Sequence, residues 1–290
     1  MNLIFLSYLV PVLLLLSIPL LGGLLMGLDR KLTARMQSRV GPPLLQPFYD
    51  IMKLWSKKPF IASRIQPVLA FLYFGFSLIA MAILVFRLDL LILLFTVATA
   101  DVCLIMASFN SKSPYSYIGG KRELLAMLSY EPLMILTAIS IFFVTGSFMV
   151  EGIISFGRPL LMLLPGVFAA MELVLIVETK KSPFDVSASM HAHQELVRGV
   201  FTEFSGYTMA IIEVGHWTRM MLMLSIIAFF WAPNFIIGGL LAFTLFFLSI
   251  LVDNVYPRLT WQKMLKTSWA LGFVLILSNI AILIILGACF

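Results

Sequence analysis

The chain has little charge. Of its 290 residues, Asp, Glu, Lys and Arg make up 12%, against 61% hydrophobic residues. A soluble domain carries about a quarter charged residues, so that class is excluded, and a mean hydropathy of +1.04 agrees. There are only two cysteines, Cys103 and Cys289, both in apolar runs, and no C-x-x-C. An iron–sulfur cluster held by this chain alone is therefore excluded. Three histidines, with no pair on two apolar segments, leave no haem site within a membrane. The expectation is a chain with no redox cofactor and no metal of its own. Ten-residue segments of strand-type alternation are missing, which argues against a membrane β-barrel. Internal repeats are missing too, so the inverted-repeat architecture of many transporters has no support. The first apolar segment has no basic stretch before it and is about 25 residues long, which suits a retained spanning helix rather than a cleaved signal.

What is present is a series of apolar segments. A spanning helix needs about 20 mostly apolar residues. Eight segments qualify: 3–27, 66–86, 89–109, 122–148, 159–179, 206–230, 234–253 and 267–289. The expected fold is an all-α polytopic membrane protein, a single integral membrane domain over residues 1–290, in the cell membrane. A tight turn at Arg87 and Asp89 joins the second and third segments, and the breaker Ala232-Pro233-Asn234 joins the sixth and seventh.

Lys and Arg set the orientation. The connection after the first segment holds eight of them, and those after the third, fifth and seventh hold three each. The other side has only Arg87 and Arg158. The basic connections are expected on the cytoplasmic side and both termini on the other. Either a soluble partner or anionic lipid headgroups answers such a surface. Nucleic acid is not expected as a partner. Within the first basic connection, "QPFYDIMKLWSKK" places Gln46, Asp50, Lys53 and Lys57 at steps of four, three and four. Phe48, Ile51, Met52 and Trp55 fall on the other face. This spacing predicts an amphipathic helix over 47–57, too short to span, lying along the membrane surface with Pro47 in its first turn.

Acidic residues in the apolar segments carry most of the remaining information: Asp101, Glu131, Glu172, Glu178 and Glu213. A charge at a helix centre costs about 2.5–3.5 kcal/mol on insertion scales and marks an ion or proton path by default. Glu131 and Glu178 are expected near helix ends, within reach of water, and Asp253 at a solvated terminus. Glu213, His216 and Arg219 are spaced i, i+3, i+6, so they either form a small buried network or neutralise one another. An acidic loop over 180–205 adds Asp185, Glu195 and Glu203, with His191 and His193 titrating near neutral pH.

Four blocks together carry a family resemblance: "RMQSRVGPPLLQPFYDIMKL" (35–54), "GGKRELLAMLSYEP" (119–132), "VETKKSPFD" (177–185) and "QELVRGVFTEFSG" (194–206). In order and spacing the chain resembles the eight-helix membrane subunit shared by respiratory complex I and the energy-converting [NiFe] hydrogenases. "QSRVGPPLLQP" is shorter than the complex I pattern. His191 and His193 stand where that branch places glutamates, three extra residues separate Asp185 from Glu195, and Ala126 replaces a usual Gln. These departures favour the hydrogenase branch, of Ech type, over a quinone-chamber subunit.

The resemblance implies a non-catalytic coupling subunit. Its partners would be the hydrogenase large and small subunits, a ferredoxin-like iron–sulfur subunit and an antiporter-like membrane subunit. Those partners would hold the [NiFe] centre and the [4Fe-4S] clusters. Buried carboxylates, with Glu131, Glu178, Asp185, Glu195, Glu203 and Glu213 matched to the family, would link ferredoxin and H2 chemistry to H+ or Na+ translocation. Arg35, Gln37, Arg39, Gly41, Pro42, Asp50 and Lys53 would dock the soluble module.

Overall fold

The computed structural model describes residues 2–61, 63–187 and 198–285. The described residues form eleven α-helices and no β-sheet: α1 (Asn2–Met36), α2 (Gln46–Trp55), α3 (Ile65–Val85), α4 (Leu90–Phe109), α5 (Pro114–Thr145), α6 (Val150–Ser155), α7 (Leu160–Leu163), α8 (Pro165–Glu178), α9 (Gly206–Ala228), α10 (Phe235–Val255) and α11 (Trp261–Ile285). Seven of them, α1, α3, α4, α5, α9, α10 and α11, are long and apolar enough to cross a membrane. Asp89 caps α4 by accepting from the N–H groups of Leu91 and Ile92, and Asn234 caps α10 by accepting from that of Ile236.

Four of the expected segments depart from their ends, among them α11, which starts at Trp261 instead of residue 267. Helix α1 continues to Met36 and so carries Asp29, Arg30 and Lys31 on helical turns. Helix α5 starts at Pro114 instead of residue 122. Regular backbone hydrogen bonding does not stop where hydropathy falls, so polar turns continue an apolar helix. The expected span 159–179 takes a different form. It is the single turn α7 followed by the 14-residue α8. Pro165 has no N–H to donate and keeps Leu164 out of the helical region, with φ −120° and ψ 48°. Asn279 of α11 satisfies the break from outside. Its side-chain carbonyl accepts from the N–H groups of Gly166 and Val167 at 2.9 and 3.3 Å, and its amide donates to Leu163 O at 3.0 Å.

A second break is repaired the same way. Pro132 sits inside α5 and leaves the carbonyl of Leu128 without its helical donor. The indole N–H of Trp269 donates to that carbonyl at 3.1 Å. In hydrocarbon an unsatisfied backbone group costs several kcal/mol, so such partners are obligatory.

The basic connections converge on one end of the bundle. There Lys181 meets Asp29, Arg258 meets Asp185, and Gln37 bonds Asn254. The opposite end holds the Arg87–Glu151 pair and the bridge between Asp89 and Met149. After α1 the chain turns back through Ser38–Leu45. Gly41 has φ +75°, and a Cβ on Gly27 would strike the carbonyl of Leu44. The corner is thus folded tightly onto α1, and α2 follows over α1 and α9, with Phe48 edge-on to Trp217 at 5.4 Å. The apolar face of α2 divides: Phe48 packs on Trp217, while Met52 and Trp55 are 68% and 63% exposed on its outer side. Asp50 turns inward because Arg30 on the extended α1 is there to pair with it, at 2.6 Å.

Candidate functional site

Arg219 on α9 is the largest fully buried side chain of the molecule's described residues. Its guanidinium grips Asp101 of α4 with both terminal nitrogens. One of those nitrogens also lies 3.2 Å from the Tyr130 hydroxyl of α5, and Nε lies 2.6 Å from Glu178 Oε1 of α8. The Tyr130 hydroxyl donates in turn to Asp101. One cation on α9 therefore joins two carboxylates and a phenol from three other helices, all buried. Paired, hydrogen-bonded geometry is what lets charge persist in a low-dielectric interior.

The cluster leads to the basic end. Two residues past Glu178, Lys180 pairs with Glu123 of α5 at 2.8 Å and lies over the Phe201 ring. Lys181 pairs with Asp29 at 3.2 Å, and Asp253 accepts from the Ser182 N–H at 2.7 Å. A cavity of about 360 Å3 opens among Asp29, Lys180, Lys181, Asp185, Glu213 and His216. A second, of about 290 Å3, lies under α2 between Asp50, Lys53, Lys57 and Arg198. Glu213 and Arg30 line both and form their common wall.

Two groups outside the spanning helices are electrostatically informative. Burial pushes the Asp185 carboxyl up to about 6, because Arg258 at 2.8 Å only partly offsets it and one of its oxygens has no hydrogen-bond partner. Burial also opposes ionisation of Asp50, but hydrogen bonds from Arg30 and Gln46 outweigh it and hold that carboxyl below its ordinary value.

Several expected placements change. Glu178 is not near water but 6% exposed and paired with Arg219. Glu131 is mid-helix, because α5 begins a further two turns upstream. It shares with Asp101 and Tyr130 a 10 Å3 crevice, about the smallest space that holds one water. Asp253 is half-buried, not a free terminus. Glu213 and His216 face a cavity while Arg219 turns to Asp101 and Glu178, since six residues along a helix do not return to one face. Glu172 stands apart on α8, with both carboxyl oxygens buried and without a hydrogen-bond partner. Glu203 is half-buried; its backbone carbonyl accepts from Gln66, and its side chain lines neither cavity. His191, His193 and Glu195 lie outside the described residues. Of the docking candidates, Arg35, Gln37, Arg39, Gly41 and Lys53 are exposed, Pro42 is half-buried, and Asp50 is committed to Arg30.

Sequence alone did not single out Asp29, Glu123, Tyr130 or the pairing of Lys180 and Lys181. The available signal was Arg219 itself, a cation in an apolar helix that calls for acids on other helices. Among the described residues no group of three or more His, Cys, Asp or Glu is placed to hold a metal ion.

Fold and site together define a multi-pass protein of the cell membrane built around buried, mutually paired charge. A family model described as NADH dehydrogenase matches residues 9–284, and the chain belongs to that family. It is 29% identical to NADH-ubiquinone oxidoreductase chain 1 of Paracentrotus lividus, over 91% of this chain and 88% of that one. It is also 29% identical to NADH-ubiquinone oxidoreductase chain 1 of Arabidopsis thaliana, over 91% of this chain and 92% of that one. Among solved structures, a chain of the membrane-bound sulfane sulfur reductase, an archaeal respiratory membrane complex, shares the fold. Its TM-score is 0.82 at 23% identity, covering 94% of this chain and 97% of that chain.

Arg219→Gln should lower stability by about 3–5 kcal/mol, because it strands two buried carboxylates. Thermal unfolding in detergent reads the loss, and adding Asp101→Asn should recover part of it. An unchanged midpoint would show that the guanidinium does not hold these helices.

The folded state binds the Asp185 proton more tightly than the unfolded chain does. This contribution is complete below pH 3.8 and is lost as pH rises through about 6. Unfolding midpoints should therefore decline over that window, and Asp185→Asn should flatten the decline.

Proposed function

We propose that the chain is the membrane anchor and coupling subunit of a respiratory-type complex, and more finely of an energy-converting [NiFe] hydrogenase. In this reading the basic end faces the cytoplasm and carries the soluble module. Ferredoxin and H2 chemistry on partner subunits then drives H+ or Na+ across the membrane. The observation that supports a coupling role most directly is the run of paired charge from Asp101, Arg219 and Glu178 through Lys180 and Glu123 to the cavity walled by Glu213. Such a run offers an ion or proton successive partners through otherwise apolar protein. The hydrogenase branch rests on the short "QSRVGPPLLQP" block and on His191 and His193 in place of acids.

A second reading has an observation in its favour. The two cavities, about 290 and 360 Å3, approach the size of small-molecule pockets. The relatives from Paracentrotus lividus and Arabidopsis thaliana are named as ubiquinone oxidoreductases, so a quinone-chamber role is the alternative. A quinone analogue that blocks turnover of the purified complex decides for the alternative. Co-purification of a hydrogenase large subunit with two C-x-x-C motifs decides for the first reading.

Glu213→Gln should leave the complex assembled while lowering ion translocation per turnover, measured in proteoliposomes. Wild-type coupling in that variant removes Glu213 from the path.

Arg39→Ala should loosen the soluble module, read as its loss during affinity purification through this chain. Full retention with full activity removes Arg39 from the docking surface.

A further inference from the structure

The cavity under α2 has a charge imbalance that the coupling path does not use. Of the cations on its wall, Arg30 is committed to Asp50 at 2.6 Å. Lys53, Lys57 and Arg198 remain, and among the described residues none of these three side chains has a hydrogen-bond or ion-pair partner. Among the described residues that line the cavity, the one acid left to face them is Glu213. Two positive charges are therefore in excess around about 290 Å3 of half-enclosed space. The same cavity has an apolar side made by Ile51, Leu54 and Trp217. Next to it, α2 turns Tyr49, Met52 and Trp55 outward, 53%, 68% and 63% exposed. A free anion would answer the cations and leave the apolar side bare. A neutral apolar molecule would do the reverse.

We propose that this cavity binds one anionic phospholipid, with its phosphate among Lys53, Lys57 and Arg198 and its acyl chains leaving along the apolar side toward the outer face of α2. The space takes a headgroup and not two chains, which places the tails outside. Basic side chains near a membrane surface favour anionic headgroups, and an aromatic and Met face favours the acyl boundary. The site rests on the first reading, in which this cavity is not a quinone chamber.

The test uses the purified complex containing this chain, stripped of lipid in detergent and titrated with dihexanoyl-phosphatidylglycerol. Native mass spectrometry counts bound lipid. Wild type should bind one per chain. Lys57→Gln with Arg198→Gln should bind about thirtyfold more weakly, at roughly a fivefold loss for each basic group. A Lys263→Gln/Lys266→Gln variant on a different connection should bind as wild type does. If the double variant fails to assemble, Lys57→Gln alone, at an exposed side chain, should weaken binding about fivefold. Equal binding by wild type and variant overturns the proposal. So does equal occupancy by dihexanoyl-phosphatidylcholine, or full competition by inorganic phosphate, which would mark a free-anion site. A preference for a short-chain quinone over phosphatidylglycerol also overturns it.

Discussion

The contact between Arg219 and the carboxylates of Asp101 and Glu178 sets the arrangement of the bundle. In a membrane, helices are not driven together by water, because lipid is as apolar as their side chains. Packing, hydrogen bonds and charge must select one rotation of each helix among many. Arg219 does this for α4, α5, α8 and α9 at once, since a charged or polar group on each must point to one place. Once Asp101 faces inward, Phe95, Val102 and Met106 of α4 are turned outward. A buried ion pair adds little net stability over an apolar substitute. Its larger effect here is to exclude other rotations, each of which leaves a charge in hydrocarbon.

How much of this was legible follows from what each signal reports. Hydropathy located the seven long helices because the cost of burying polar groups is summed over about 20 residues. It placed α1 and α5 too short because backbone hydrogen bonding continues past the oily stretch. The break at Pro165 was missed in the span 159–179, and its repair was not legible, since Asn279 lies more than a hundred residues away. For α2, spacing gave the helix but not which of its faces meets the bundle. Periodicity separates two faces and does not say which one meets the protein. Arg30 on the extended α1 decided that, through Asp50.

For the site the same division holds. Asp101, Glu178 and Glu213 stood out as acids among apolar residues. Their partners did not, because pairing depends on tertiary approach. Glu178 was expected in water for its position at a helix end, yet the last turn of α8 is buried from Val174 to Glu178, so its end is interior. Arg219 was visible but matched to its neighbours on α9. Two groups six residues apart lie on different faces, so partners on α4 and α8 were the better expectation.

Beyond the cluster, Lys180 pairs with Glu123, Lys181 with Asp29 and Arg258 with Asp185. In the Arg219 cluster two carboxylates face one guanidinium. A single excess charge in a low-dielectric interior interacts strongly with any ion nearby. The cluster lies at the deep end of a row of pairs that opens on the Glu213 cavity. Those pairs hold Glu123, Asp29 and Asp185 in fixed partnerships around the cluster.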